Sequence, residues 1–162
     1  MIVRKTTEAD LDAVMSVYAD ARDFMRENGN PNQWFHNHPP RELIIKDIRD
    51  GGSYVCCPEN DEGRVLAVFY LSTKPDPTYT KISGAWLNDA PYAVIHRIAR
   101  AKDAKGAGAF CLEWCHKHTK NIRIDTHKDN KPMIKLLGEL GYAYCGVIWL
   151  ETGDERLAYQ KC

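Results

Sequence analysis

An α/β architecture with a mixed sheet follows from three features of this 162-residue chain. The first is order. Apolar and polar residues arrange as a strand, two helices, a group of strands, and then strand–helix–strand–helix–strand. The second is punctuation: Asn28-Gly29-Asn30-Pro31, Gly51-Gly52 and Gly141 each close a helical stretch where the chain must turn. The third is content. Apolar residues make up 44% of the chain, enough for a core that needs no metal or disulfide. The length is usual for one domain, and no repeat, linker or low-complexity segment interrupts it, so residues 1–162 read as a single domain.

The elements follow in order. Ile2 to Lys5 alternates as a short strand. Thr7 has the chemistry of an N-cap, and Asp10, three residues on, closes a capping box. From Ala9 to Glu27, the residues Leu11, Val14, Met15, Tyr18, Ala21 and Met25 recur at helical spacing beside a charged face. Asn30 to Pro39 is a loop carrying Gln33, Trp34, Phe35, His36 and His38; large aromatics on a loop point to binding more than aromatics in a core do. Pro40 opens a second helix to about Asp50, with Leu43, Ile44 and Ile48 inward. Ser53–Cys57 and Arg64–Thr73 read as a hairpin around the polar turn Pro58–Gly63. Lys74-Pro-Asp-Pro-Thr78 is a loop, and Tyr79 to Trp86 holds one more short strand. Ala93 to Ala99 is a strand, and Gly108 to Thr119 a helix. Ile122 to His127 is a strand with Ile122, Ile124 and Thr126 on one face and Arg123, Asp125 and His127 on the other. Asn130 to Leu140 is a helix with Met133, Leu136, Leu137 and Leu140 as its apolar face and Gly141 as its C-cap. Tyr142–Leu150 and Leu157–Gln160 complete the sheet.

Charge and cysteine content exclude several function classes. Lysine plus arginine number 22 and aspartate plus glutamate 22, which argues against nucleic acid or an anionic membrane as the main partner, though not against a local basic patch. No run approaches the roughly 18 apolar residues of a membrane helix. The first residues, Met-Ile-Val-Arg-Lys-Thr-Thr-Glu, lack the apolar stretch that carries export. A cytoplasmic, reducing compartment is therefore expected, with Cys56, Cys57, Cys111, Cys115, Cys145 and Cys162 as free thiols. Cys111-x3-Cys115-His116-x-His118 has metal-ligand residue types, but zinc sites commonly use two distant pairs rather than one crowded helix. Cys111, Leu112 and Cys115 fit the buried face of a helix, so no metal is expected. Cys57 or Cys145 as a nucleophile lacks a supporting signature.

The informative stretch is Lys102-Asp-Ala-Lys-Gly106-Ala107-Gly108-Ala109, between a strand and a helix. Glycines there let the backbone turn tightly, and the amides that open the helix can face a phosphate. Lys102 and Lys105 add positive charge. Glycines before a helix are often plain turn chemistry, and this stretch is neither a P-loop nor a dinucleotide fingerprint.

In its element order the chain resembles the GNAT family of acyl-CoA-dependent N-acyltransferases. The family's loop reads Arg/Gln-x-x-Gly-x-Gly/Ala, and here Asp103-Ala-Lys-Gly106-Ala-Gly108 stands in its place. A strand (Ile122 to His127), a helix opened by Asn130 and the closing Leu140-Gly141-Tyr142 follow as in the family. The likeness implies a mostly antiparallel central sheet of six to seven strands flanked by about four helices. It implies acetyl-CoA as co-substrate and an amine acceptor, either a small molecule or a protein, and it is compatible with a homodimer. Asp103 departs from the family's basic or amide residue, and Leu137 stands where many members place a tyrosine that protonates the leaving thiolate.

Direct transfer to an amine sets the chemistry. An amine with a pKa of about 10.4 must lose a proton, an oxyanion must find an N–H, and a thiolate with a pKa of about 8.5 must leave. His96 stands about where many members carry a glutamate base, and a neutral imidazole suits that role. A core histidine bonded across the sheet is the alternative. Asp125 and His127 share a face that can orient a water or the substrate, or Asp125 can pair with Arg123. The resemblance puts the oxyanion donor among the amides of Ile98, Ala99 and Arg100. It puts Asn130 on the pantetheine arm, unless Asn130 is only an N-cap. Tyr142, Tyr144 and Cys145 remain as proton donors, with Tyr144 preferred to the core-like Tyr142. The loop between the first two helices, with Asn30, Gln33, Trp34 and Phe35, would wall the acceptor pocket, or Trp34 plugs the core. A CoA-binding module that senses without catalysing is the rival function.

Overall fold

The computed structural model describes residues 1–162. In chain order the elements are β1 (Ile2–Lys5), α1 (Leu11–Glu27), α2 (Arg41–Arg49), β2 (Ser53–Cys57), β3 (Ala67–Ser72), β4 (Ser83–Gly84), β5 (Ala93–Arg100), α3 (Ala107–Thr119), β6 (Ile122–Thr126), α4 (Lys131–Glu139), β7 (Ala143–Trp149) and β8 (Glu155–Lys161). Short 3-10 turns at Glu8–Asp10 and Pro77–Tyr79 precede α1 and β4. All eight strands join one sheet in the order β1-β2-β3-β5-β6-β8-β7-β4. Every pairing is antiparallel except β5 with β6.

Period-two alternation divides the core between the two faces. Val55, Val68 and Ala99 pack under α1 and α2 with Val14, Tyr18 and Ile44. Ala67, Phe69, Ile95 and Ile124 pack under α3 and α4 with Cys111, Leu112 and Leu137. Thr7 and Asp10 do close a capping box, with the Thr7 amide donating to Asp10 at 2.7 Å. Arg4 holds the same carboxylate through two 2.8 Å bonds and so ties β1 to the start of α1. All six cysteines are unpaired. No helix is long and apolar enough to cross a membrane.

Two departures from the sequence expectation concern the sheet. The strand expected over Tyr79–Trp86 is reduced to Ser83–Gly84. Tyr79 instead ends a 3-10 turn, and its ring stacks on Trp86 inside a small core. β4 is the eighth strand. Gly146, at φ +142°, admits it because a Cβ there would meet the Ser83 carbonyl.

The centre of the sheet is irregular, and this positions the site. β5 and β6 are in register only at Ala93↔Ile122 and Val94↔Arg123, so they part beyond Val94. β5 also bulges: β3 pairs Val68 with Ala99 and Tyr70 with His96, leaving Arg97 and Ile98 both opposite Phe69. Arg97 takes a φ of +51° at this point. The Tyr18 hydroxyl donates to the Arg97 carbonyl at 3.0 Å, and the Arg97 guanidinium pairs with Asp47 at 2.8 Å. The bulge is thus held from α1 and α2, and it turns His96 and Arg97 toward the same side.

Candidate active site

The parting of β5 and β6 opens two adjoining cavities that share Met25, Ile98, Asn130 and Met133. The first, of about 300 Å³, runs from the end of α1 over Ile98–Arg100 to the start of α3 and across α4. Gly106 caps α3 in the left-handed region at φ +83°, where other residues are strained. No backbone carbonyl takes the amides of Lys105, Gly106, Gly108 and Ala109. Free amides with the positive end of a helix dipole form an anion cradle, so this groove fits a phosphate-bearing ligand. Lys102 lines it, with its own amide donating to Asp20 at 3.0 Å. Arg100 lies over Phe24 on the same wall. Asp103 turns away to pair with Arg64 at 2.6 Å, which removes its charge from the cradle. Lys105 and Ala107 are not on the wall; the Ala107 side chain is buried in the core below.

The second cavity, of about 250 Å³, lies on the other side of the shared residues. Here the structure places His96, paired through Nε2 with Asp76 at 2.9 Å. Asp76 also accepts from the amide and hydroxyl of Thr78 at 2.8 and 2.7 Å. The His96 bond, helped by those from Thr78, pulls the Asp76 carboxyl down to about 2. Asp125 lies on the same wall and accepts from the Tyr79 hydroxyl at 2.6 Å. Burial raises the Asp125 carboxyl above the ordinary range, and the Tyr79 bond opposes that shift.

Several expectations are corrected by this geometry. Asp125 does not pair with Arg123. Arg123 donates to the Asn88 carbonyl at 2.8 Å and lies over the rings of Trp86 and Tyr92. His127 is off the cavity wall: its Nδ1 accepts the Asp129 amide at 3.2 Å and fixes the turn into α4. Tyr144 is 57% exposed on β7, edge-on to Tyr159, and lines neither cavity. Tyr142 and Leu137 are buried in the core, and the Cys145 thiol faces the Ala143 carbonyl. None of the proposed proton donors therefore reaches the cavities. Phe35 is 52% exposed and also stands off both.

The loop between α1 and α2 does wall the second cavity, through Gln33 and Trp34. Trp34 serves both readings, since it also packs edge-on against Tyr18 of the core. Gln33 Oε1 accepts from Asn30 at 2.7 Å and from Asn130 at 2.8 Å. Asn130 in turn caps α4 by accepting the Met133 amide at 3.3 Å. One amide network thus ties the acceptor loop to the junction of the two cavities. Sequence reasoning missed Asp76 and Arg156. The Asp76-Pro-Thr78 run carries a turn-capping signature that could have flagged Asp76, whereas nothing local marks Arg156.

The sheet thus parts between two parallel strands, with an amide cradle on one side and a polar cavity on the other. No protein-family model matches the chain, and no curated protein is similar to it in sequence. Solved structures do match. A GNAT-family acetyltransferase from Streptococcus agalactiae is 30% identical, with a TM-score of 0.87 over 99% of this chain and 94% of that one. The chain belongs to the GNAT family of acetyltransferases. The fold is shared more distantly by a GNAT-family acetyltransferase from Listeria monocytogenes (19% identity, TM-score 0.72, 99% and 93% coverage). It is also shared by a ribosomal-protein-alanine N-acetyltransferase from Brucella melitensis (19%, TM-score 0.64, 99% of each chain).

Proposed function

We propose that this protein transfers an acetyl group from acetyl-CoA directly to a primary amine. The observation that carries this reading is the meeting of the amide cradle and the His96 cavity at Ile98, Asn130, Met25 and Met133. Acetyl-CoA supplies the acyl thioester and its pyrophosphate. The amides around Gly106 to Ala109, with Lys102 beside them, hold the phosphates. The acceptor amine enters the second cavity beneath Gln33 and Trp34.

His96 takes the ammonium proton. Asp76 accepts from Nε2, which fixes the tautomer and leaves Nδ1 as the basic nitrogen. The bulge at Arg97 and Ile98 takes backbone groups out of the ladder beside the shared residues, and such amides can donate to charge developing on a carbonyl oxygen. With Leu137 buried and no tyrosine on either wall, the thiolate leaves without a tyrosine acid. Its pKa of about 8.5 makes it a tolerable leaving group.

The same absence of a tyrosine favours the rival reading, a module that binds acyl-CoA without turnover. Incubation with acetyl-CoA and a broad panel of primary amines, following free thiol, separates the two. Amine-dependent thiol release with initial-rate patterns of a sequential mechanism is expected. Acetyl-CoA binding without thiol release across the panel would establish the sensing module instead.

A further inference from the structure

Arg156, on β8, lines the second cavity, is not used by the mechanism and has no ionic or aromatic partner in the fold. Its residue is 6% exposed, and it lines the cavity wall. Its side chain makes a single hydrogen bond, from Nη1 to the carbonyl of the adjacent Glu155 at 2.9 Å. A guanidinium has five N–H donors, so most of its capacity is unspent. Two other arginines on this side of the sheet show how the fold ordinarily satisfies such a charge. Arg97 is paired with Asp47, and Arg123 lies between two aromatic rings. Arg156 has neither a carboxylate within ion-pair distance nor an aromatic face. Asp125 and Asp154 act on it only at longer range. A buried, unpaired cation is costly to maintain unless a ligand completes it.

The remaining polar groups give the cavity a direction. Asp76 with His96, and Asp125, supply acidic groups suited to an ammonium, and Arg97 in the same cavity is already neutralised by Asp47. Arg156 supplies a cationic side, and the Thr126 hydroxyl on the same wall is buried with no partner. A volume of about 250 Å³ suits a small molecule.

We infer that the acceptor is a small primary amine carrying its own oxyanion, carboxylate or phosphate, with the oxyanion on the Arg156 fork and the amine toward His96. This inference rests on the proposed acetyl transfer for its substrate role, but the anion subsite is testable by binding alone. The planar fork matches either oxyanion in two-point geometry.

The test uses the full chain and matched ligands: several amino acids, their amides, and O-phosphoethanolamine beside ethanolamine. Affinity is read by calorimetry with and without CoA, and turnover by thiol release with acetyl-CoA. The wild type is expected to bind an anionic member at least about 30-fold more tightly than its neutral counterpart. Arg156→Gln should erase that difference and leave the affinity for the neutral ligand unchanged. Whether the preferred member is a carboxylate or a phosphate identifies the oxyanion. Equal binding of charged and neutral partners by the wild type, binding of neither, or a preference that survives Arg156→Gln would overturn the assignment. If Arg156→Gln fails to fold, the wild-type comparison decides, and Arg156→Lys should keep only part of the preference. Anion-selective binding without thiol release would refute acetyl transfer while upholding the subsite.

Discussion

At the scale of single residues, the pair His96–Asp76 decides how the cavity works. Asp76 has one oxygen committed to Thr78 and the other to His96, so the imidazole is held from a capped 3-10 turn. In the proposed transfer, a base oriented in this way would act on the amine and not on CoA. His96→Ala is therefore expected to lower kcat by about 10²- to 10⁴-fold while the KM for acetyl-CoA changes little. Steady-state kinetics with a productive amine measures this, and an unchanged kcat would remove His96 from the mechanism. His96, singled out because it stands about where many members of the family carry a glutamate base, does line the cavity. Asp76 was readable only as a turn cap, because its contact with His96 spans twenty positions. Separation along the chain also hides the role of Asp125, whose partner Tyr79 lies 46 positions away and displaces the neighbour that alternation would offer.

Among the elements, the start of α3 and the bulge in β5 carry the site. Gly106 holds a left-handed φ of +83° at the cap, beside amides that no backbone carbonyl takes. A Cβ there meets no neighbouring atom, so a substitution acts first through the backbone. Gly106→Val should cost about 1–3 kcal/mol at that position, or move the cap out of it. The expected outcome is a KM for acetyl-CoA raised about tenfold or more, with kcat at saturation less affected. A KM equal to that of the wild type would detach the cradle from CoA binding. The helices and most strands were readable from period and capping alone. The bulge was not: Ala93 to Ala99 reads as an ordinary strand, and the extra residue exists only relative to Phe69 on β3. β4 failed for a related reason. Tyr79 and Trp86 have strand-like chemistry, but their rings are drawn into a core with Val94 and Ile148.

For the whole molecule, net neutrality conceals local charge order: Lys102 and Arg100 on the groove wall, acidic and basic groups together in the second cavity, and carboxylates that brace the fold. Asp10 is the clearest brace. Its bond to Arg4, with those from Thr7, pulls the carboxyl from 3.8 to about 2. A carboxylate depressed on folding stabilises fully above its unfolded pKa, and that contribution fades as pH falls toward the folded one. Stability should therefore decline from about pH 4 to about pH 2, and Asp76 adds to the same window. Asp10→Asn should lower stability near neutrality by about 1–3 kcal/mol and flatten the acid decline. Urea unfolding at several pH values checks both parts.

In the proposed transfer, the amide cradle at Gly106 and the cavity of His96 hold two substrates that meet at Ile98 and Asn130. A crystal structure of the protein with CoA tests it most directly. The account predicts the pyrophosphate on the amides of Gly106 to Ala109 and the thiol beside Ile98 and Asn130, pointing into the cavity that holds His96 and Arg156. CoA bound elsewhere on the molecule, or with its thiol directed away from that cavity, would contradict it.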